Sequence, residues 1–195
     1  MTPLAVLDAC VLFRIVATDF LLCVARTGVY VPLWSDAIHA EWMTNLGRKR
    51  MVPEDRLAWR HARMRAAFPE ATVSPDLADL VEATSACLTD AERKDAHVIA
   101  TALAAGADIL VTDNVRDMAA VLVRLRRGPR LLTPDQFVAE LYETDRDAVI
   151  TGARLHRTSM TRPPYDLAAY LALLAGPRAG LPQSASLLAA NQGAL

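Results

Sequence analysis

Short apolar runs alternate with helical periodicity along the first two-thirds of this chain. Residues 4–11 form a Val/Leu-rich run broken only by Asp8, which predicts a buried strand with an acid at its end. Thr18 and Asp19 offer caps for a helix over 20–26 that stops at Gly28, and residues 29–33 read as a second strand. Ser35 caps a helix carrying Ile38, Trp42 and Leu46 at helical spacing, and Pro53 opens another with Leu57, His61 and Met64 on one side. Residues 71–73 are a brief strand candidate, after which Ser74-Pro75 starts a helix at Asp76. Thr89 and Glu92 form a capping-box pattern ahead of one Ala-rich helix ending at Gly106. Residues 108–112 (D-I-L-V-T) are the clearest buried strand; a short helix, a weak strand at Arg130–Leu132 and a helix from Thr133-Pro134 follow.

This β–α alternation predicts an α/β fold with a mostly parallel sheet covered by helices on both faces. Beyond about Thr144 no strand candidate remains, and Pro163-Pro164 and the stretch from Gly176-Pro177 to Pro182 divide helical segments. The expected division is an α/β domain over 1–144 and a helical C-terminal appendage over 145–195.

Composition narrows the class. With 195 residues, 53% hydrophobic and 22% charged, the chain has enough apolar matter for a real core, which excludes disorder. No apolar run reaches the roughly 18 residues of a spanning helix, and Asp8 and Arg14 fall where a cleavable leader would be apolar, so no membrane role is expected. Three cysteines without a C-x-x-C pair (Cys10, Cys23, Cys87) argue for a reducing compartment and a cytoplasmic location. The net charge of −1 hides segregation. Residues 41–67 hold seven Arg/Lys against three acids, 70–94 invert that balance, and Arg124, Arg126, Arg127 and Arg130 make a second basic run.

The candidate chemistry lies in acids placed at strand ends, where open parallel sheets form their sites. Asp8 closes the first strand, and Glu41 lies on the Ser35-capped helix. Asp95 shares an otherwise apolar stripe with Val98, Ile99 and Ala102. Asp113, Asn114 and Asp117 follow the clear strand at once, with Thr112 at its end. Carboxylates converging from separated segments repel one another unless a cation joins them, and hard oxygen ligands suit Mg²⁺ or Mn²⁺. Such an ion polarises a phosphodiester and activates water, while flanking basic blocks hold phosphates. His97, two residues from Asp95, is expected to point away from the acid as a packed or hydrogen-bonded histidine. His39, His61 and His156 have no zinc spacing. Ser35 is a helix cap or a pocket-orienting hydroxyl, Arg14 a surface or phosphate-contacting arginine, and Cys10 a small core residue. Trp34, Trp42 and Trp59 are candidates for stacking on bases or for the core.

The pieces V-L-D-A-C-V-L, W-S-D-A-I-H-A-E-W, D-A-H-V-I-A-T-A-L-A-A-G-A-D-I-L-V-T and T-D-N-V-R-D-M, in that order over residues 4–138, resemble the PIN-domain nuclease family. The tail, through R-P-P-Y-D-L and G-L-P-Q-S-A-S-L-L, is similar to the VapC-like toxins with a helical C-terminal extension. The resemblance implies a three-layer α/β/α sandwich whose acidic pocket binds Mg²⁺ or Mn²⁺ and cleaves RNA, acting as the toxin of a type II toxin–antitoxin pair. It implies catalytic roles for Asp8, Glu41, Asp95 and Asp117 and a metal set drawn from Asp8, Asp95, Asp113 and Asn114. Arg14, Ser35, Thr112 and Arg116 are the candidate substrate contacts. Asp113 departs from the commoner pattern, which leaves open which of Asp113, Asn114 and Asp117 approaches the metal; Met118, where an aromatic is usual, is expected to affect packing only. The implied partners are RNA, a VapB-like antitoxin and a second copy in a homodimer. A non-toxin RNA-processing PIN nuclease and a non-catalytic RNA- or antitoxin-binding module are the alternatives. A receiver domain, a haloacid-type phosphatase and a nucleotide-binding fold each lack required residues, including any G-x-x-x-x-G-K-[ST] or G-x-G-x-x-G motif.

Overall fold

The computed structural model describes residues 1–161, 164–191 and 195, so Pro163 of the predicted Pro-Pro divider lies outside the described residues. The elements run β1 (Leu4–Leu7), α1 (Ala9–Phe13), α2 (Ile15–Ala25), β2 (Val31–Leu33), α3 (Asp36–Arg50), α4 (Glu54–Ala67), α5 (Leu77–Ser85), α6 (Asp90–Lys94), α7 (Ala96–Ala104), β3 (Ile109–Val111), α8 (Val115–Leu125), β4 (Arg130–Leu132), α9 (Pro134–Thr144), α10 (Arg146–Ser159), α11 (Leu167–Ala175) and α12 (Pro182–Ala189). The four strands form a parallel sheet in the order β2-β1-β3-β4, which bears out the α/β class. Among the described residues, no helix is long and apolar enough to cross a membrane.

The chain divides into two compact units. One, residues 3–13 and 32–131, contains the body of the sheet. Its β1 pairs in parallel with β3, Ala5 facing Ile109, Val6 facing Leu110 and Leu7 facing Val111, and all six side chains are buried. Two such fully apolar strands side by side are what a sheet covered on both faces requires. Around them α1 packs on α3, and α7 packs on α3, α5 and β1. The other unit, residues 1–2, 14–31 and 132–195, is helical: α10 lies against α2 and α9, and α12 against α9 and α11.

Four local expectations are corrected. The first strand ends at Leu7, because the Asp8 carbonyl accepts from the Val11 and Leu12 amides (both 3.0 Å) and turns residues 9–13 into α1. The next helix begins at Ile15 rather than Phe20; Thr18 lies inside it, its hydroxyl bonded back to the Arg14 carbonyl at 3.1 Å. Residues 71–73 form no strand of their own. A 3₁₀ turn over Pro69–Ala71 precedes a lone bridge between Thr72 and Trp34. The Ala-rich helix is two helices, α6 and α7, broken at Asp95. The Ser35 and Thr89–Glu92 caps form as the spacing predicts, and Thr133 with Gln136 forms a further capping box at the start of α9.

Candidate active site: a carboxylate cluster at the strand ends

The register of β1 on β3 builds the centre of the site. With Leu7 opposite Val111, the next residues, Asp8 and Thr112, come side by side although 104 positions apart; the Asp8 amide continues the ladder to the Val111 carbonyl at 3.1 Å. The Thr112 hydroxyl donates to Asp8 Oδ2 at 2.6 Å, and the Cys10 thiol donates to the same oxygen at 3.0 Å. Thr112 Oγ1 also accepts from the Asn114 amide at 2.9 Å, which fixes the turn into α8. The Asn114 side-chain amide then reaches Asp95 Oδ2 at 2.7 Å. Asp8, Thr112, Asn114 and Asp95 thus form one hydrogen-bonded chain.

Asp95 is delivered by the helix break. Its φ of −98° and ψ of 1° end α6 and start α7, so it belongs to neither helical face. This explains why the spacing argument misplaced its neighbour. Helical phase restarts at Ala96, and His97 points toward the acids, its Nε2 lying 3.1 Å from Glu41 Oε2. That approach lacks hydrogen-bond alignment, so Glu41 Oε2 is a buried carboxylate oxygen without an aligned donor. His97 Nδ1 meets the Lys94 carbonyl at 3.0 Å. His97 is therefore a residue of the site that the sequence reading passed over; the Arg93-Lys94-Asp95 turn was the signal that could have revealed it.

The carboxylates sense one another. Burial pushes the Asp8 carboxyl above its usual range and the charge of Glu41 adds to this, while the Cys10 and Thr112 donors oppose it. Asp95 is likewise raised by burial and then by Asp8 and Glu41, against the Asn114 amide and His97. Burial works against protonating His97, but Glu41 outweighs it, with the Lys94 carbonyl and Asp8 assisting, and its pKa is raised. The Cys10 thiol is held protonated by burial and by Asp8.

The other predicted residues are distributed as follows. Asp113 is exposed, its amide near Cys10 Sγ at 3.4 Å. Asp117 is half-buried in the first turn of α8 and Arg116 exposed beside it; none of the described hydrogen bonds or ion pairs ties either to the cluster. Ser35 is buried, accepting from the Ile38 amide at 3.4 Å and the Thr101 hydroxyl at 2.9 Å, which is a cap and a packing bond. Met118 is buried and packs the root of α8. Arg14 belongs to the helical unit. A cavity of about 610 Å³ opens between α3 and α4, lined by His39, Met43, Leu57 and His61, on the face of α3 turned away from Glu41.

A divalent cation suits this donor set. Among the described residues no three His, Cys, Asp or Glu side chains close into a complete ligand sphere. Mg²⁺, however, is ordinarily held by one or two carboxylates with waters completing the octahedron. Two carboxyls raised by burial, with the charge of Glu41 adding to both and that of Asp8 to Asp95, are what such an ion relieves. None of the described arginine ion pairs engages Asp8, Glu41 or Asp95.

In open parallel sheets ligands bind past the carboxyl ends of the strands, and Asp8 and Thr112 lie there. Residues 5–116 match the family model for the PIN domain, which is more than half of the chain, and the chain belongs to that family. Residues 134–190 match the model for the VapC50 C-terminal domain, so the layout is that of a VapC-like PIN nuclease with a C-terminal extension. No curated protein and no solved structure matches the chain. PIN domains are typically nucleases and generally use divalent metal ions.

Proposed function

We propose that this protein is a Mg²⁺- or Mn²⁺-dependent endoribonuclease and the cytoplasmic toxin of a type II toxin–antitoxin pair, restrained by a VapB-like antitoxin. The observation that carries the reading is the hydrogen-bonded chain of Asp8, Thr112, Asn114 and Asp95 beyond the ends of β1 and β3, with Glu41 of α3 bearing on both acids. Asp8 and Asp95 would hold the ion, with Glu41 and Asn114 at its margin. When bound, the ion would polarise a phosphodiester and lower the pKa of an attacking water. Thr112 fixes Asp8 by donating to Oδ2 (2.6 Å), and Asn114 fixes Asp95 by donating to its Oδ2 (2.7 Å). Both carboxylates are thereby oriented before any ligand arrives, the support on which metal affinity depends. Glu41, facing His97 Nε2 at 3.1 Å, would take a proton from water. Asp113 and Asp117, at the entry to α8, would serve as further acids for a second hydrated contact, and Arg116 as a phosphate contact. The match of residues 134–190 to the VapC50 C-terminal domain supports the toxin role over general RNA processing. A homodimer fits the same assignment.

The test is direct. Asp8→Asn and Asp95→Asn should each abolish cleavage of single-stranded RNA and growth arrest on expression, with the circular dichroism spectrum unchanged. Calorimetric titration of Mn²⁺ should show binding to the wild type that both substitutions weaken. Full toxicity and undiminished Mn²⁺ binding in both variants would reject the mechanism.

A further inference from the structure

We propose that Trp59, on the outer face of α4, is a stacking platform for a base of single-stranded RNA, extending the substrate contact away from the carboxylate cluster; this rests on the ribonuclease reading above. The three tryptophans separate cleanly. Trp34 and Trp42 are fully buried, whereas Trp59 is 66% exposed. A tryptophan left in water serves no core. Its surroundings are those of a nucleic-acid contact: the Arg63 guanidinium lies 5.6 Å from its ring centroid, and Arg56 and Arg63 are exposed on the same helix. From Arg48 to Arg65 the chain carries seven Arg/Lys against Glu54 and Asp55.

This surface is continuous with the site through α1, the helix that begins immediately after Asp8. Arg60, next to Trp59, donates to the Leu12 carbonyl at 3.0 Å and lies 4.8 Å over the Trp42 ring. Lys49 and Arg50, at the basic end of α3, lie 5.9 and 5.2 Å over the Phe13 ring, so α1 is flanked by cations from both helices. Of the other large exposed apolar side chains of this unit, Leu77, Leu80, Val81 and Leu88 stand among Asp76, Asp79, Glu82 and Asp90, a setting that repels phosphate, whereas Met51 and Val123 stand beside basic residues but carry no ring for a base to stack on. An aromatic face amid cations suits an unpaired base and its phosphates; a base pair inside a duplex offers no such face.

The probe is an eight-residue oligouridylate and its abasic counterpart of equal charge, titrated into Asp8→Asn protein in chelator so that binding is read without cleavage. Trp59→Ala should weaken the oligouridylate roughly 5- to 150-fold, and Trp59→Phe should retain most of the affinity. The abasic chain should bind both alike. Because Trp34 and Trp42 are buried, quenching of tryptophan fluorescence on binding should be lost in Trp59→Ala. Equal affinity of Trp59→Ala and its parent for the oligouridylate would overturn the proposal. So would an equal loss on the abasic chain, or a loss confined to an acidic peptide, which would make the face a protein contact. If otherwise wild-type protein neither binds nor cleaves the oligonucleotide in Mn²⁺, the ribonuclease reading itself fails. Cleavage with no effect of Trp59→Ala on binding removes the stacking platform alone.

Discussion

At the scale of single residues, Thr112 shows how a neutral side chain governs a charged one. It is fully buried and both donates to Asp8 and accepts from the Asn114 amide, so its hydroxyl couples two strands' ends to the start of α8. Thr112→Val keeps the shape but leaves the Asn114 amide without its partner and removes a donor from a buried carboxylate. A stability loss of about 1–3 kcal/mol is expected in urea melts. Mn²⁺ affinity should fall roughly 10- to 100-fold, as for other groups that orient metal ligands. Thr112→Ser should recover most of both, and unaltered Mn²⁺ affinity in Thr112→Val would remove the hydroxyl from the argument. Asp8, Thr112 and Asn114 were legible because they adjoin strong strand patterns. Asp95 was singled out for the wrong local reason. Its unusual backbone, not an apolar stripe, aims it, and the same break brings His97 to Glu41.

Among elements, α2 and α10 of the helical unit pack backbone to backbone. Gly152 lies mid-way along α10, and a Cβ there would come within 2.6 Å of the Val24 Cα on α2. In an exposed helix Gly→Ala gains about 1 kcal/mol from propensity. Here the backbone-to-backbone approach opposes it, and overpacking of this kind costs about 1–3 kcal/mol. Gly152→Ala should therefore lower the melting temperature of the protein; an unchanged or higher value would show that α10 can shift at no cost. Nothing in the sequence marks that glycine, since its partner lies 128 positions away. The capping box at Thr89 was legible because it is written within four residues, and the structure forms it.

For the whole molecule, acid response follows from two buried histidines, one in each unit. His156 is held near 4, below its ordinary 6.5, by burial; the Tyr170 hydroxyl donates to the Ala153 carbonyl and meets His156 Nδ1 at 3.1 Å, which suits the neutral ring. His39 is held near 3, by burial first and then by His61, Arg65 and Arg60. Both have folded values below the unfolded one. The unfolded chain therefore takes up protons first, and stability present above pH 6.5 is lost as the pH falls toward the folded values. For His156 the loss is on the order of 3 kcal/mol. Melts between pH 7.5 and 4 should show wild-type stability declining more steeply than that of His156→Asn; parallel curves would show that His156 does not drive the decline. Asp8 and Asp95, raised by burial, act in the opposite direction and cancel in this comparison.

The α/β class, the parallel sheet, the caps and the acids at the strand ends were set by local pattern, because strand runs, cap residues and turns are encoded within a few neighbouring positions. Three-dimensional packing decided the rest. It joined α2 to the C-terminal helices in one unit, a grouping no linear reading expresses, and brought Asp8 beside Thr112 through strand register. It also turned Asp95 and His97 inward at a helix break and left Trp59, alone of three tryptophans, facing solvent. These outcomes depend on contacts between residues tens to more than a hundred positions apart, where burial and mutual charge, rather than sequence spacing, fix which side chains meet.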